Sequence, residues 1–103
     1  MPLETRPFDP ANYLNSEEAI TAYMMEALDS NDTGFIADAL GVVARARGMT
    51  QVARDAGLSR ESLYRALSPE GNPELSTLLR VLTALGLRLA IRPAKEEPAE
   101  APV

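Results

Sequence analysis

The segment that most constrains this chain runs from Met49 to Ser68: Met-Thr-Gln-Val-Ala-Arg-Asp-Ala-Gly-Leu-Ser-Arg-Glu-Ser-Leu-Tyr-Arg-Ala-Leu-Ser. Counting Met49 as the first position, the small residue Ala53 is fifth and Gly57 ninth, and the apolar residues Val52, Ala56, Leu58 and Leu63 are fourth, eighth, tenth and fifteenth. The spacing predicts two short helices, over 50–56 and 59–68, that cross at a tight turn. A close crossing needs a small residue at the contact. The turn needs a positive φ, which Gly adopts cheaply. The four apolar side chains bury the pair against the rest of the domain, and Ser59 caps the second helix.

Two helices joined in this way form a helix-turn-helix, and its second helix enters the DNA major groove N-terminus first. The outer face of that helix here carries Ser59, Arg60, Glu61, Tyr64 and Arg65. Arg60 and Arg65 can donate to guanine edges or to phosphates, and Glu61 can accept from a cytosine amino group. Ser59 and Thr50 suit phosphate, as do helix N-terminal amides. Arg54, Arg45 and Arg47 add backbone contacts. From Arg45 to Arg65 five arginines stand against Asp55 and Glu61, a local charge of +3. The competing reading of the same residues is a plain helical hairpin with a solvated arginine face.

That local charge contradicts the net charge of −5, and the contradiction is informative. Residues 1–38 hold eight Asp or Glu against Arg6, a net of −7. Residues 39–92 hold eight Arg against four acids, a net of +4, and residues 93–103 return to −2. Such segregation points to two partners: phosphate for the basic centre and something basic for the acidic front.

The chain is 103 residues long with 46% hydrophobic and 5% aromatic residues, enough for one core built mainly from Ala, Leu and Val. It contains no Cys and no His. That removes thiol nucleophiles, imidazole acid–base chemistry and Cys or His metal sites, and no loop has the carboxylate spacing of a cation site. An enzyme is therefore not expected, nor is a cofactor or metal. The absence of Cys fits a cytoplasmic protein, and no apolar run reaches the ~20 residues of a membrane span.

The remaining elements are read from caps and periodicity. Asp9 and Pro10 open a short helical turn, with Phe8 placed to staple onto Tyr13. Ser16 caps a helix whose Ile20, Tyr23, Met24, Ala27 and Leu28 repeat at three and four. A second helix runs over 33–47 with Ile36, Ala39, Leu40 and Val43 as its stripe, stopped by Gly48. Asn72-Pro73-Glu74 reads as a helix start, with a cap, a proline at the first position and an acid at the second. Leu75, Leu78, Leu79, Leu82 and Leu85 then form a stripe expected to be core, ended by Gly86.

Residues 87–92, Leu-Arg-Leu-Ala-Ile-Arg, alternate with period two, apart from Ala90, and read as one half-buried strand. A lone strand needs a mate, and the same strand of a second subunit across a two-fold axis is the expected one. The expected architecture is thus all-α: five helices plus one short C-terminal strand paired across a dimer. Residues 1–92 make a single domain, with an acidic helical segment at 1–32, and 93–103 a Pro-, Ala- and Glu-rich disordered tail.

Several stretches also carry a family resemblance. These are Phe8-Asp9-Pro10-Ala11-Asn12-Tyr13-Leu14, Gly48-Met49-Thr50-Gln51, Gly57-Leu58-Ser59-Arg60-Glu61-Ser62-Leu63-Tyr64, Leu67-Ser68-Pro69-Glu70-Gly71-Asn72-Pro73, and Leu82 to Leu89. Together they resemble the probable addiction-module antidote family over residues 5 to 92, the Ser-Pro-Glu-Gly-Asn-Pro loop most distinctively. These are HigA-like bacterial antitoxins with a lambda-repressor-like (XRE) helix-turn-helix. The resemblance implies a cytoplasmic homodimer that binds operator DNA to repress its own operon and neutralises a basic toxin of the RelE/ParE superfamily. It maps DNA contact onto Gln51, Ser59, Arg60, Glu61, Tyr64 and Arg65, but it assigns no toxin contacts. Charge steering favours the acidic front for those, with Asp9, Tyr13, Glu17, Glu18 and Glu26 as candidates. The same acids also serve simply to cap helices and solvate a surface. A solitary prophage-type regulator with no toxin is the alternative function.

Overall fold

The computed structural model describes residues 10–94. Among them, a 3-10 turn, Pro10–Tyr13, is followed by five α-helices. These are α1 Glu17–Asp29, α2 Thr33–Arg47, α3 Met49–Ala56, α4 Arg60–Ala66 and α5 Leu75–Ala84. Asp9 and Phe8, and the tail from residue 95, lie outside the described residues.

Helix starts follow from short polar side chains. The Ser16 hydroxyl accepts the Ala19 N–H at 3.1 Å, with Glu17 and Glu18 in the first turn where the helix dipole favours negative charge. Asp32 does the same for α2, accepting the Phe35 N–H at 3.2 Å.

Helix α2 is the axle of the molecule. The 3-10 turn, α1 and α3 all pack on it. Ala37, Ala39, Leu40, Gly41, Val42, Val43 and Ala44 are consequently all buried. A helix covered on more than one side needs apolar residues around most of its circumference, so the sequence stripe of Ile36, Ala39, Leu40 and Val43 understates its burial. On α1, Ile20, Met24 and Ala27 are core, Tyr23 is half-buried and Leu28 lies at the exposed edge. Burial raises the Tyr23 phenol above its ordinary range, with Asp38 adding to the shift, so this residue brings no charge to the acidic face at neutral pH.

Helix α5 departs from expectation in two ways. It starts at Leu75, with Glu74 as N-cap and no side-chain cap bond, so Asn72 is not the cap and Pro73 is not the first helical residue. Proline's fixed φ suits an extended lead-in as well as a helix start. Here Glu74 is still extended (φ −64°, ψ 157°) and Pro73 is half-buried in the loop before it. Second, the leucine stripe is only partly core. Leu82 and Leu85 are buried and Leu78 is half-buried, but Leu75 is 66% exposed and Leu79 43%. The fully buried residue is Val81, outside the leucine pattern. Helix α5 thus presents a narrower face to α3, its main neighbour, than its leucines suggest.

The expected strand is the third correction. No strand forms among the described residues, and 87–93 run on without helix, turn or bend. A ladder needs two strands, and one described chain supplies no second. The segment leaves α5 through Gly86 in the left-handed region, with the Leu87 N–H returning to the Leu82 carbonyl at 2.8 Å.

Candidate nucleic-acid interface

The helix pair α3–α4 forms as its spacing predicts. Gly57 sits at φ 74°, ψ 31°, and this left-handed residue lets the Leu58 N–H reach back to the Ala53 carbonyl at 2.8 Å. Val52, Ala53, Ala56 and Leu63 are buried and Leu58 is half-buried. The Ser59 hydroxyl accepts the Ser62 N–H at 3.0 Å and starts α4.

With Leu63 held in the core at 0% exposure, the helical period turns Arg60, Glu61, Tyr64 and Arg65 outward, and all four are exposed. On α3 the same logic exposes Thr50, Gln51 and Arg54 opposite Met49, Val52, Ala53 and Ala56. Thr50, Gln51, Arg54, Arg60, Glu61, Tyr64 and Arg65 therefore lie on the outer sides of these two helices, with Ser59 at the N-cap of α4, whereas Arg45 and Arg47 belong to the last turn of α2.

Their local partners differ. The Arg60 guanidinium carbon lies 5.4 Å from the centre of the Tyr64 ring, and its Nη2 donates to the Tyr64 hydroxyl at 3.4 Å. This i, i+4 pair holds the guanidinium over the ring and outside the core. The Gln51 amide donates to Asp55 at 2.9 Å, so it must exchange that bond for any other. Ser59 is committed to its cap, which sets it apart from Arg60 and Arg65 as a ligand-facing group. Arg47, read as a backbone contact, instead donates to the Leu85 carbonyl at 3.1 Å and ties the end of α2 to the end of α5.

Two close approaches that sequence reasoning missed position α4 from behind. A Cβ on Gly41 of α2 would stand 2.7 Å from the Leu67 carbonyl oxygen, at the C-cap of α4. One on Gly71 would collide with the Ala66 carbonyl oxygen. Both glycines let backbone approach backbone where no side chain fits. A glycine within an otherwise apolar helical stripe, such as Gly41, is the signal that could have pointed to it.

The acidic candidates lie elsewhere. Glu18 and Glu26 share an exposed ridge of α1 at i, i+8, Glu17 lies a quarter-turn or more away, and Tyr13 is exposed at the end of the 3-10 turn. Met25, 42% exposed, lies among these acids on the outer side of α1.

The molecule is thus a small, mostly helical protein whose buried centre, α2, separates an acidic helix from an arginine-bearing helix pair. A family model described as "probable addiction module antidote protein" matches residues 4–93, and the chain belongs to this family. It is also 46% identical over 92 residues to an uncharacterized protein of Haemophilus influenzae (strain Rd), a match spanning 89% of this chain and 95% of that one. No solved structure matches. The family is that of antidotes in addiction modules, which implies a toxin partner. Among the described residues no helix is long and apolar enough to cross a membrane.

Proposed function

We propose that this chain neutralises a basic toxin of the RelE/ParE superfamily and, as a cytoplasmic homodimer, represses its own operon by binding operator DNA through α3 and α4. In this reading the pair is a helix-turn-helix of the lambda-repressor-like kind, and the protein works by binding alone, without catalysis. The carrying observation is the division of α4: Leu63 is fully buried, while Arg60, Glu61, Tyr64 and Arg65 are exposed together. Arg60 and Arg65 donate to guanine edges or phosphates, Glu61 accepts from cytosine, and Thr50, Gln51 and Arg54 hold the phosphate backbone. Helix α1, with Glu17, Glu18 and Glu26 exposed, faces the basic toxin.

The test is a gel-shift titration on the DNA directly upstream of the gene, against scrambled DNA, over a salt series. Specific binding that weakens with salt is expected. Equal affinity for both DNAs, with or without a co-expressed neighbouring toxin, overturns operator recognition.

A further inference from the structure

Arg54, Arg60 and Arg65 stand exposed on the helix pair, and they are not held alike. Among the described residues the guanidinium groups of Arg54 and Arg65 have no hydrogen-bond, ion-pair or ring partner. Arg60 is restrained by the Tyr64 ring, whose centre lies 5.4 Å from the guanidinium carbon, and by the Tyr64 hydroxyl at 3.4 Å. Helical side chains lean toward the N-terminus, so a tyrosine at i+4 brings its ring to the residue one turn before it. The restraint leaves the arginine's chemistry intact. Its partner is a phenol and not a carboxylate, so no opposite charge cancels that of Arg60. A guanidinium has five N–H donors and this bond takes one, which leaves a fork free for two parallel bonds.

We propose that Tyr64 is a positioning residue that holds Arg60 as the guanine-reading side chain of α4, while Arg54 and Arg65 bind phosphate. This rests on the operator-binding reading and divides the roles within it. Arg60 is the first residue of α4, and the N-terminal residues of a recognition helix are those that meet base edges. Arg54 and Arg65 lie in the last turns of their helices. A guanine edge offers two acceptors, O6 and N7, in one plane, which suits a planar fork already held in place. Phosphate contacts carry no such requirement for orientation at a base, and a swinging side chain makes them. Ordering a long free side chain on binding weakens a complex by about 2- to 10-fold. The Tyr64 ring removes part of that loss before DNA arrives, and only at a site where Arg60 finds its guanine.

The test has one arm without DNA and one with it, so that the two readings fail separately. An aromatic ring shifts protons above its face upfield. In the proton spectrum of the full chain the Arg60 δ-methylene is therefore expected upfield of those of Arg54 and Arg65, and expected to rejoin them in Tyr64→Leu. Tyr64 is 46% exposed, so this variant should keep its helical circular dichroism. The second arm compares affinities for the operator and for operators with single base pairs exchanged. The unmodified protein is expected to prefer one G·C pair by about 5- to 150-fold, and Arg60→Ala to lose that preference. Tyr64→Leu should lower it by about 2- to 10-fold, and Tyr64→Phe, which keeps the ring, by less. Arg60→Ala combined with Tyr64→Leu should lower it no further than Arg60→Ala alone. Arg65→Ala should weaken all sites alike and flatten the salt dependence. Coincident Arg60 and Arg65 resonances, a G·C preference unchanged in Tyr64→Leu, independent losses in the double variant, or a preference lost through Arg65→Ala instead overturns the proposal. Specific binding with Tyr64→Leu indifferent sinks the positioning role alone. Equal affinity for every sequence, with the upfield shift of Arg60 intact, sinks the operator reading on which it rests.

Discussion

Gly57 and Arg60 stand three residues apart and do opposite kinds of work. At Gly57 nothing lies within 4 Å of a built Cβ, so any cost of substitution there comes from the backbone. Gly57→Val is expected to destabilise by about 1–3 kcal/mol, because a β-branched residue strongly resists the left-handed region. Gly57→Asn should cost clearly less, since Asn visits that region more readily. Thermal melts of the two variants decide it: equal losses contradict a backbone origin. At Arg60 the change falls on binding. Arg60→Ala is expected to keep folding stability within about 0.5 kcal/mol of the original, the side chain being exposed. It should weaken operator binding by about 1–3 kcal/mol. Undiminished operator affinity removes Arg60 from the interface. Both residues were legible in the sequence, because a turn glycine and a helix surface follow from local spacing. The commitment of Arg47 to the Leu85 carbonyl was not, because it joins residues 38 positions apart.

Elements were legible where caps and periodicity agreed, as in α1 and α2. They were misread where one signal fits two conformations. Asn72-Pro73-Glu74 satisfies the rules for a helix start, yet Pro73 and Glu74 lead into α5 from outside. The leucines of α5 mark an apolar stripe, but periodicity cannot say how much of a stripe its neighbours cover. The result is a measurable contrast within two helices. Leu40, 1% exposed on α2, is expected to cost about 2–5 kcal/mol on truncation to Ala. Leu75, 66% exposed on α5, should cost within about 0.5 kcal/mol on the same truncation. Urea midpoints of the two variants compare them directly, and similar losses at both positions contradict the covering of α5 described above. The close fit of Gly41 against Leu67 belongs to the same scale. A sequence shows that the residue is small, and only the packed helices show which carbonyl needs the space.

At the scale of the whole molecule, charge segregation was the feature most fully readable in advance, because it is arithmetic on the chain. The fold adds a separation: the acids of α1 and the arginines of α3 and α4 lie on elements that each pack against α2 or its neighbours, with the buried helix between the two sets. Two partners of opposite charge can then be held by separate surfaces and perturbed separately. Replacing Glu17, Glu18 and Glu26 together by Gln removes three exposed charges without removing the hydrogen-bonding capacity of the side chains. Exposed rim charges act chiefly on association rate, and steering of this kind spans about 10- to 1,000-fold. The triple variant is therefore expected to slow toxin association and flatten its dependence on salt, while leaving toxin dissociation nearly unchanged. Operator affinity should hold or rise slightly, since fewer negative charges then approach phosphate. Surface plasmon resonance against toxin and operator in parallel reads all three quantities. An unaltered association rate with toxin shows that these acids only cap α1 and solvate its surface. A loss of operator affinity shows instead that the two surfaces are coupled through α2.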